Sequence, residues 1–141
     1  MLYLGIDPDL EKNGVAIWDS KARKIIELKC QDFFDTINTI VKVKRAGGTV
    51  IIEGGWLNAP GNFHKFAGSA AAGEKIAKNV GENHAIGKLL EAYCKKFNVP
   101  YLVVKPKKGN KTTNDLIFKN SGWEGRSNQE MRDAAGLVIG K

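Results

Sequence analysis

The chain has 141 residues, 43% of them apolar and 26% charged, and 22 Lys and Arg against 15 Asp and Glu give it a net charge of +7. That length suits one domain, residues 1–141, with its own core, and no apolar run approaches the ~18 residues of a membrane-spanning helix. Six residues before Asp7 leave too little room for a secretory apolar segment, and Cys30 and Cys94, far apart and without a CxxC, exclude a zinc ribbon or a disulfide framework and suit a reducing cytosol.

Residues 2–6 (LYLGI) read as a buried strand ending in Asp7-Pro8, where the proline holds Asp7 extended. The Asn13-Gly14 pair is expected to turn the chain into Val15–Trp18, and Asp19–Lys21 form a polar hairpin turn into a third strand, Lys24–Leu28. The period then changes. Phe33, Ile37, Ile40, Val41 and Lys44 recur at helical spacing over residues 32–46, and Gly47-Gly48 ends the helix. Thr49–Ile52 is a short apolar strand ending at Glu53, and the Gly-, Asn- and Pro-bearing residues 54–63 form a loop.

A long helix is expected from about His64 to Phe97, with Ile76, Val80, Leu90, Tyr93 and Phe97 on its apolar side. Gly73, Ala77, Gly81 and Ala85 recur every four residues along it, either to pack the helix on its own sheet or to admit a second backbone. Pro100 opens a strand over Tyr101–Val104. A basic loop and short helix run to Gly122, and a final helix spans Ser127–Gly140. The order βββαβαβα predicts an α/β domain with a mixed sheet, strand 49–52 parallel to strand 2–6 and helices on both faces.

Two carboxylates then end neighbouring parallel strands, Asp7 and Glu53, at the sheet edge where open α/β folds place their sites. Side by side they repel and lose hydration, so they need a shared proton or cation. A hard divalent ion such as Mg²⁺, held by oxygens and water, meets that need. Each acid alone is equally explained as a solvated strand end. On the last helix Glu130 and Asp133 are three residues apart and share a face. Asp133 is the better ligand candidate, whereas Ser127-x-x-Glu130 also reads as a capping box. Residues 105–126 carry four of the seven net charges, through Lys105, Lys107, Lys108, Lys111, Lys119 and Arg126 against Asp115 and Glu124. Such a segment suits a polyanion.

Four segments, GIDPDLEKNGVAIWD, VIIEGGW, GENHAIGKLLEAY and RDAAGLVIG, resemble in this order the RuvC-like Holliday-junction resolvases of the RNase H-like superfamily. The resemblance spans nearly the whole chain and implies an RNase H-like five-stranded sheet. It implies that Asp7, Glu53 and Asp133 are catalytic metal ligands, with Glu130 in the place of a further acid. In a second register Asp133 takes that earlier place and Gly136 replaces the final acid. Trp56 matches an aromatic inserted at the junction centre, although it is equally placed to cap the core. Lys105, Lys107, Lys108 and Lys111 resemble the basic segment that faces the cut strand. The short C-terminus and the PKKGNKTTND wording depart from the bacterial pattern and resemble phage-type members.

The implied activity is hydrolysis of DNA phosphodiesters at four-way junctions with two Mg²⁺ ions per site, Mn²⁺ substituting, and neither nucleotide cofactor nor membrane. The two-fold symmetry of a junction implies a homodimer. A less selective branched, flap or single-strand nuclease, and a binding module without catalysis, are the competing readings. The GIDPD segment also resembles a phosphate loop of actin-like ATPases, but those need a duplicated domain. His64 and His84 are expected to be structural or on the surface. If the basic loop faces DNA, replacing Lys107 and Lys108 by alanine flattens the salt dependence of DNA binding by about one log–log unit each. Binding isotherms between low and moderate salt check this, and an unchanged slope places the loop away from DNA.

Overall fold

Period-two alternation in the strands sorts side chains onto two faces of the sheet. In Val50-Ile51-Ile52 the outer two residues join one core and the middle one joins the other; Leu4 and Ile6 do the same around Gly5. The computed structural model describes residues 1–58, 69–106 and 109–141, without the side chains of 110 and 111. It contains strands β1 (Leu2–Asp7), β2 (Asn13–Asp19) and β3 (Lys24–Gln31), helix α1 (Phe33–Arg45), strand β4 (Thr49–Glu53), helix α2 (Ala70–Lys96), strand β5 (Tyr101–Val104) and helices α3 (Asn110–Phe118) and α4 (Gln129–Gly136).

The sheet order is β3-β2-β1-β4-β5. The first three strands form an antiparallel meander, and β4 lies parallel to both β1 and β5. This is the expected five-stranded mixed sheet. Ile40 and Val43 of α1 and Ile86, Leu90 and Cys94 of α2 close one face. Ala134, Ala135 and Val138, on α4 and just beyond it, close the other. Helices therefore cover both faces, as the element order predicted.

Several boundaries differ from the sequence reading. Asn13-Gly14 does not turn the chain; it opens β2, with Asn13 opposite Gln31 and Gly14 opposite Asp7. The turn lies earlier, where Asp9 Oδ1 accepts from the Glu11 and Lys12 amides at 2.9 and 3.2 Å. Asn13 is fully buried, so its amide needs partners. Its Oδ1 accepts from Asp9 N at 2.9 Å and its Nδ2 donates to Thr36 Oγ1 at 3.0 Å. In α1 the buried stripe is Thr36, Thr39, Ile40 and Val43 rather than one through Val41 and Lys44, the two threonine hydroxyls being satisfied by hydrogen bonds to the Asp32 and Asp35 carbonyls.

The described part of α2 starts at Ala70 with Ser69 as its N-cap; His64, the expected start, lies outside the described residues. Its buried residues are Ile86, Gly87, Leu90 and Cys94, whereas Ile76 and Phe97 are exposed. Ala77, Gly81 and Ala85 are exposed too, so that stripe does not pack on the domain's own sheet. The last helix is shorter than expected. Asn128, not Ser127, caps it by accepting from Met131 N at 2.9 Å, and Ser127 Oγ instead accepts from Arg132 at 3.0 Å.

Two glycines set the approach of α4. A Cβ on Gly5 would collide with the carbonyl oxygen of Ala134, and one on Gly14 with that of Glu130. Neither obstacle is a flexible side-chain end, so Gly5→Ala and Gly14→Ala are each expected to lower unfolding free energy by about 1–3 kcal/mol, the range for overpacking a dense interior. Urea unfolding followed by tryptophan fluorescence reads this, and an unchanged midpoint would show that α4 stands off the sheet.

Candidate active site

β1 and β4 run parallel with Ile6 opposite Ile52, so the next residue of each, Asp7 and Glu53, emerges at the same sheet edge. Strands in register sit about 4.8 Å apart, which brings the two carboxylates together as expected from sequence. Both are half-buried. They line a cleft of about 170 Å³ together with Pro8, Gly55, Val80, Asn83 and His84. The helix α4 approaches from the other side of the sheet edge, its carbonyl at Glu130 lying over Gly14, the partner of Asp7.

Burial is the main electrostatic influence on the two acids, and charge repulsion adds to it. Burial raises the Asp7 carboxyl from its ordinary 3.8 to about 8, with further contributions from Glu53, then Asp133, Glu130 and Asp9. Burial, then the charge of Asp133, raises Glu53 from 4.5 to about 7. Left to itself the site therefore takes up a proton near neutrality.

Asp133 is half-buried. Its Oδ1 accepts from Asn114 Nδ2 at 3.1 Å and from Gln129 Nε2 at 2.9 Å. Glu130 is more exposed and leans toward β3, with Oε2 4.0 Å from Cys30 Sγ. As a first-turn residue behind Asn128 it is not the end of a Ser127 capping box. The position that the second register would give to an acid, Gly136, is crowded: a Cβ there would strike the side chain of Asn114.

The remaining sequence candidates are placed as follows. Lys105 follows Val104, which pairs with Glu53, so it leaves the sheet at the same edge as the acids; its side chain borders a second hollow with Asn114 and Gly136. Lys107 and Lys108 lie outside the described residues, and Lys111 is on α3 with its side chain outside them. Trp56 sits in a single 3₁₀ turn, Gly55–Leu57. Its ring is half-buried, packs against Gly87 of α2 and meets the His84 ring edge-on at 6.2 Å. It thus caps the core beside the cleft.

His84 was expected to be structural or on the surface, yet it lines the acidic cleft. Burial, then the nearby Lys88, lowers its pKa from 6.5, which favours the neutral imidazole. Asn83 is tied in as well, its Oδ1 accepting from Leu10 N at 3.0 Å. Asn114 and Gln129 were not singled out from sequence. The only hint of His84 is its place in GENHAIGK; nothing local marks Asn114, whose role depends on how α3 meets α4.

Among the described residues no three His, Cys, Asp or Glu side chains form a closed metal cage. The donor set nevertheless fits Mg²⁺, which binds through one or two carboxylates and keeps water or phosphate oxygens for its other positions. Asp7 with Glu53 would supply that minimum, and Asp133 lies near enough for its charge to raise both.

No protein-family model matches the chain, and no curated protein matches it either. Solved structures do. The chain is similar to Thermus thermophilus RuvC in complex with a Holliday junction substrate, at 13% identity and a TM-score of 0.61 over 99% of this chain and 90% of that one. It is also matched to a second T. thermophilus RuvC structure at 14% identity, a TM-score of 0.48, and coverage of 99% and 92%. The chain has the RuvC-type, RNase H-like fold.

The raised carboxyls predict how stability depends on pH. Between 3.8 and about 8 folded Asp7 binds more protons than unfolded Asp7, so its contribution is full below the lower value and lost as pH rises through the upper one. In chelator, wild-type protein is expected to melt at a lower temperature at pH 8.5 than at pH 5.5, with Asp7→Asn reducing that drop and added Mg²⁺ restoring the wild type at pH 8.5. Thermal denaturation at the two pH values checks this; identical pH profiles for both proteins would show that Asp7 is not desolvated.

Proposed function

We propose that this chain is a divalent-metal-dependent endonuclease that hydrolyses DNA phosphodiesters at four-way or other branched junctions. The observation that carries the reading is the pairing of Asp7 and Glu53 at one sheet edge, with Asp133 of α4 near enough for its charge to raise both, within a fold shared with a RuvC that was solved on a Holliday junction substrate. Asp7 and Glu53 would hold Mg²⁺ on the β1–β4 edge, and Asp133, with Glu130 as a more exposed helper, would hold it from α4. Bound Mg²⁺ ions lower the pKa of the attacking water and stabilise charge on the leaving 3′ oxygen, and Mn²⁺ serves the same purpose.

The chain's own groups do the rest. The carboxylates, ionised once their protons are displaced, fix where the scissile phosphate is held relative to the sheet edge. Lys105, which leaves the sheet at the same edge as the acids, neutralises phosphate charge there. His84, neutral and beside Glu53, offers a hydrogen-bonding edge to the cleft without adding positive charge. Trp56, packed on Gly87, shapes the cleft mouth; reaching a junction centre as a stacking wedge requires it to leave that seat.

Paired nicks on a two-fold junction need two such sites, which supports a homodimer, and the exposed Ala77, Gly81 and Ala85 of α2 are the candidate contact. The DNA substrate places this work in the cytoplasm of a bacterium, whether the chain is encoded by the cell or by a phage; among the described residues no helix is long and apolar enough to cross a membrane.

The decisive experiment compares a synthetic four-way junction with a linear duplex of the same sequence, in Mg²⁺ and in chelator. Paired nicks near the branch point, restricted to the junction and dependent on metal, are expected. Asp7→Asn is expected to reduce cutting by more than about 100-fold, beyond what losing a group that merely supports a ligand costs, while retaining or tightening junction binding. Equal cutting of both substrates would replace this reading with a general nuclease. A junction bound but never cut would make the chain a binding module.

A further inference from the structure

Asp133 differs from the other acids in how it is held. Asn114 lies on α3, is 6% exposed, and points its Nδ2 at Asp133 Oδ1. Gln129, one turn before Asp133 on α4, donates to the same oxygen and also to Asp115 Oδ1 at 3.3 Å. Among the described residues Oδ2 of Asp133 accepts no hydrogen bond. An ionised carboxylate offers about four lone-pair sites, and here both donors occupy one oxygen. That arrangement fixes the plane of the carboxylate and leaves the other oxygen available.

The same place explains Gly136. Any side chain there would occupy the volume of the Asn114 amide, so the absence of a Cβ on α4 is what lets an amide from α3 reach Asp133. Arg132 completes the joint by donating from Nε to Asp115 Oδ1 at 2.8 Å.

We infer that Asn114 and Gln129 are positioning residues that lock Asp133 through Oδ1 and present its Oδ2 to the divalent cation, with Gly136 as the gap that admits Asn114. This rests on the metal reading of the site given above. Hydrogen-bonded supports of ligating groups typically change metal affinity 10–100-fold when removed.

The test is Mn²⁺ binding to the full DNA-free chain by titration calorimetry, with melting temperature in chelator measured on the same samples. Asn114→Ala and Gly136→Ala are expected to weaken Mn²⁺ binding about 10-fold, and Gln129→Ala by about 3-fold, the lower side of that range for one of two donors. Gln129 stands in the first turn of α4 and is only partly buried, so its variant keeps the test valid if Asn114→Ala fails to fold. Lost Mn²⁺ affinity with an unchanged melting temperature in Gln129→Ala supports the lock. Wild-type Mn²⁺ binding that Asp7→Asn abolishes, but that Gln129→Ala and Gly136→Ala leave intact, overturns the lock alone. Wild-type protein that binds no Mn²⁺ overturns the metal reading and the lock with it.

Discussion

The close approach of the α4 backbone to the sheet is the constraint on which the site depends. Two strand positions, Gly5 and Gly14, carry no Cβ, and α4 carbonyls occupy the space that side chains would take. Ala134 and Ala135 extend the same thin layer. A helix seated on side chains of ordinary size would stand several ångströms farther out, and Asp133 would lie beyond reach of Asp7 and Glu53. Small residues on both partners thus convert a packing detail into an electrostatic one, because the distance between acids on different elements is set by backbone contact.

That proximity has a free-energy cost that the rest of the domain must offset. Asp7 and Glu53 are partly withdrawn from water and face further carboxylates, which is why both are pushed toward neutral pH. The uninterrupted apolar runs of β1, β2 and β4, with Leu4, Ile6, Val15, Ile17, Val50 and Ile52 fully buried, supply the opposing stabilisation. Four of the seven net charges lie after β5, and among the described residues no ion pair neutralises Asp7, Glu53 or Asp133. A phosphate backbone alone would be repelled by them, whereas one arriving with divalent counterions is attracted.

Much of this was legible in the chain because it is local. Apolar runs ending in a single acid located Asp7 and Glu53, and a helix-spaced pair located Glu130 and Asp133. The alternation of strands and helices, with right-handed crossovers, put β4 parallel to β1. Features that depend on contacts distant in sequence were not legible. Asn13-Gly14 has the composition of a turn, but Asn13 is buried against Thr36 and belongs to a strand. Asn128 and Ser127 are both good caps, and only the tie between Ser127 and Arg132 separates them. His84 is marked only by its place in GENHAIGK and Asn114 by nothing local; the first is brought to the cleft by the course of α2, the second by the meeting of α3 and α4.

The anchoring of α2 is uneven along its length. Its 27 residues extend about 40 Å at 1.5 Å each, yet Ile86, Gly87, Leu90 and Cys94 are its buried residues, all in the C-terminal half. Among the described residues the helix is a cantilever: clamped at one end, with residues 70–82 as its free arm. At the edge of the clamp stand Asn83 and His84, and Asn83 is tethered to Leu10 in the loop that follows Asp7. A load on the arm is carried into the clamp at the end where that tether sits. Whatever engages the free arm is therefore mechanically geared to the loop beside the acidic pair, without touching the pair itself.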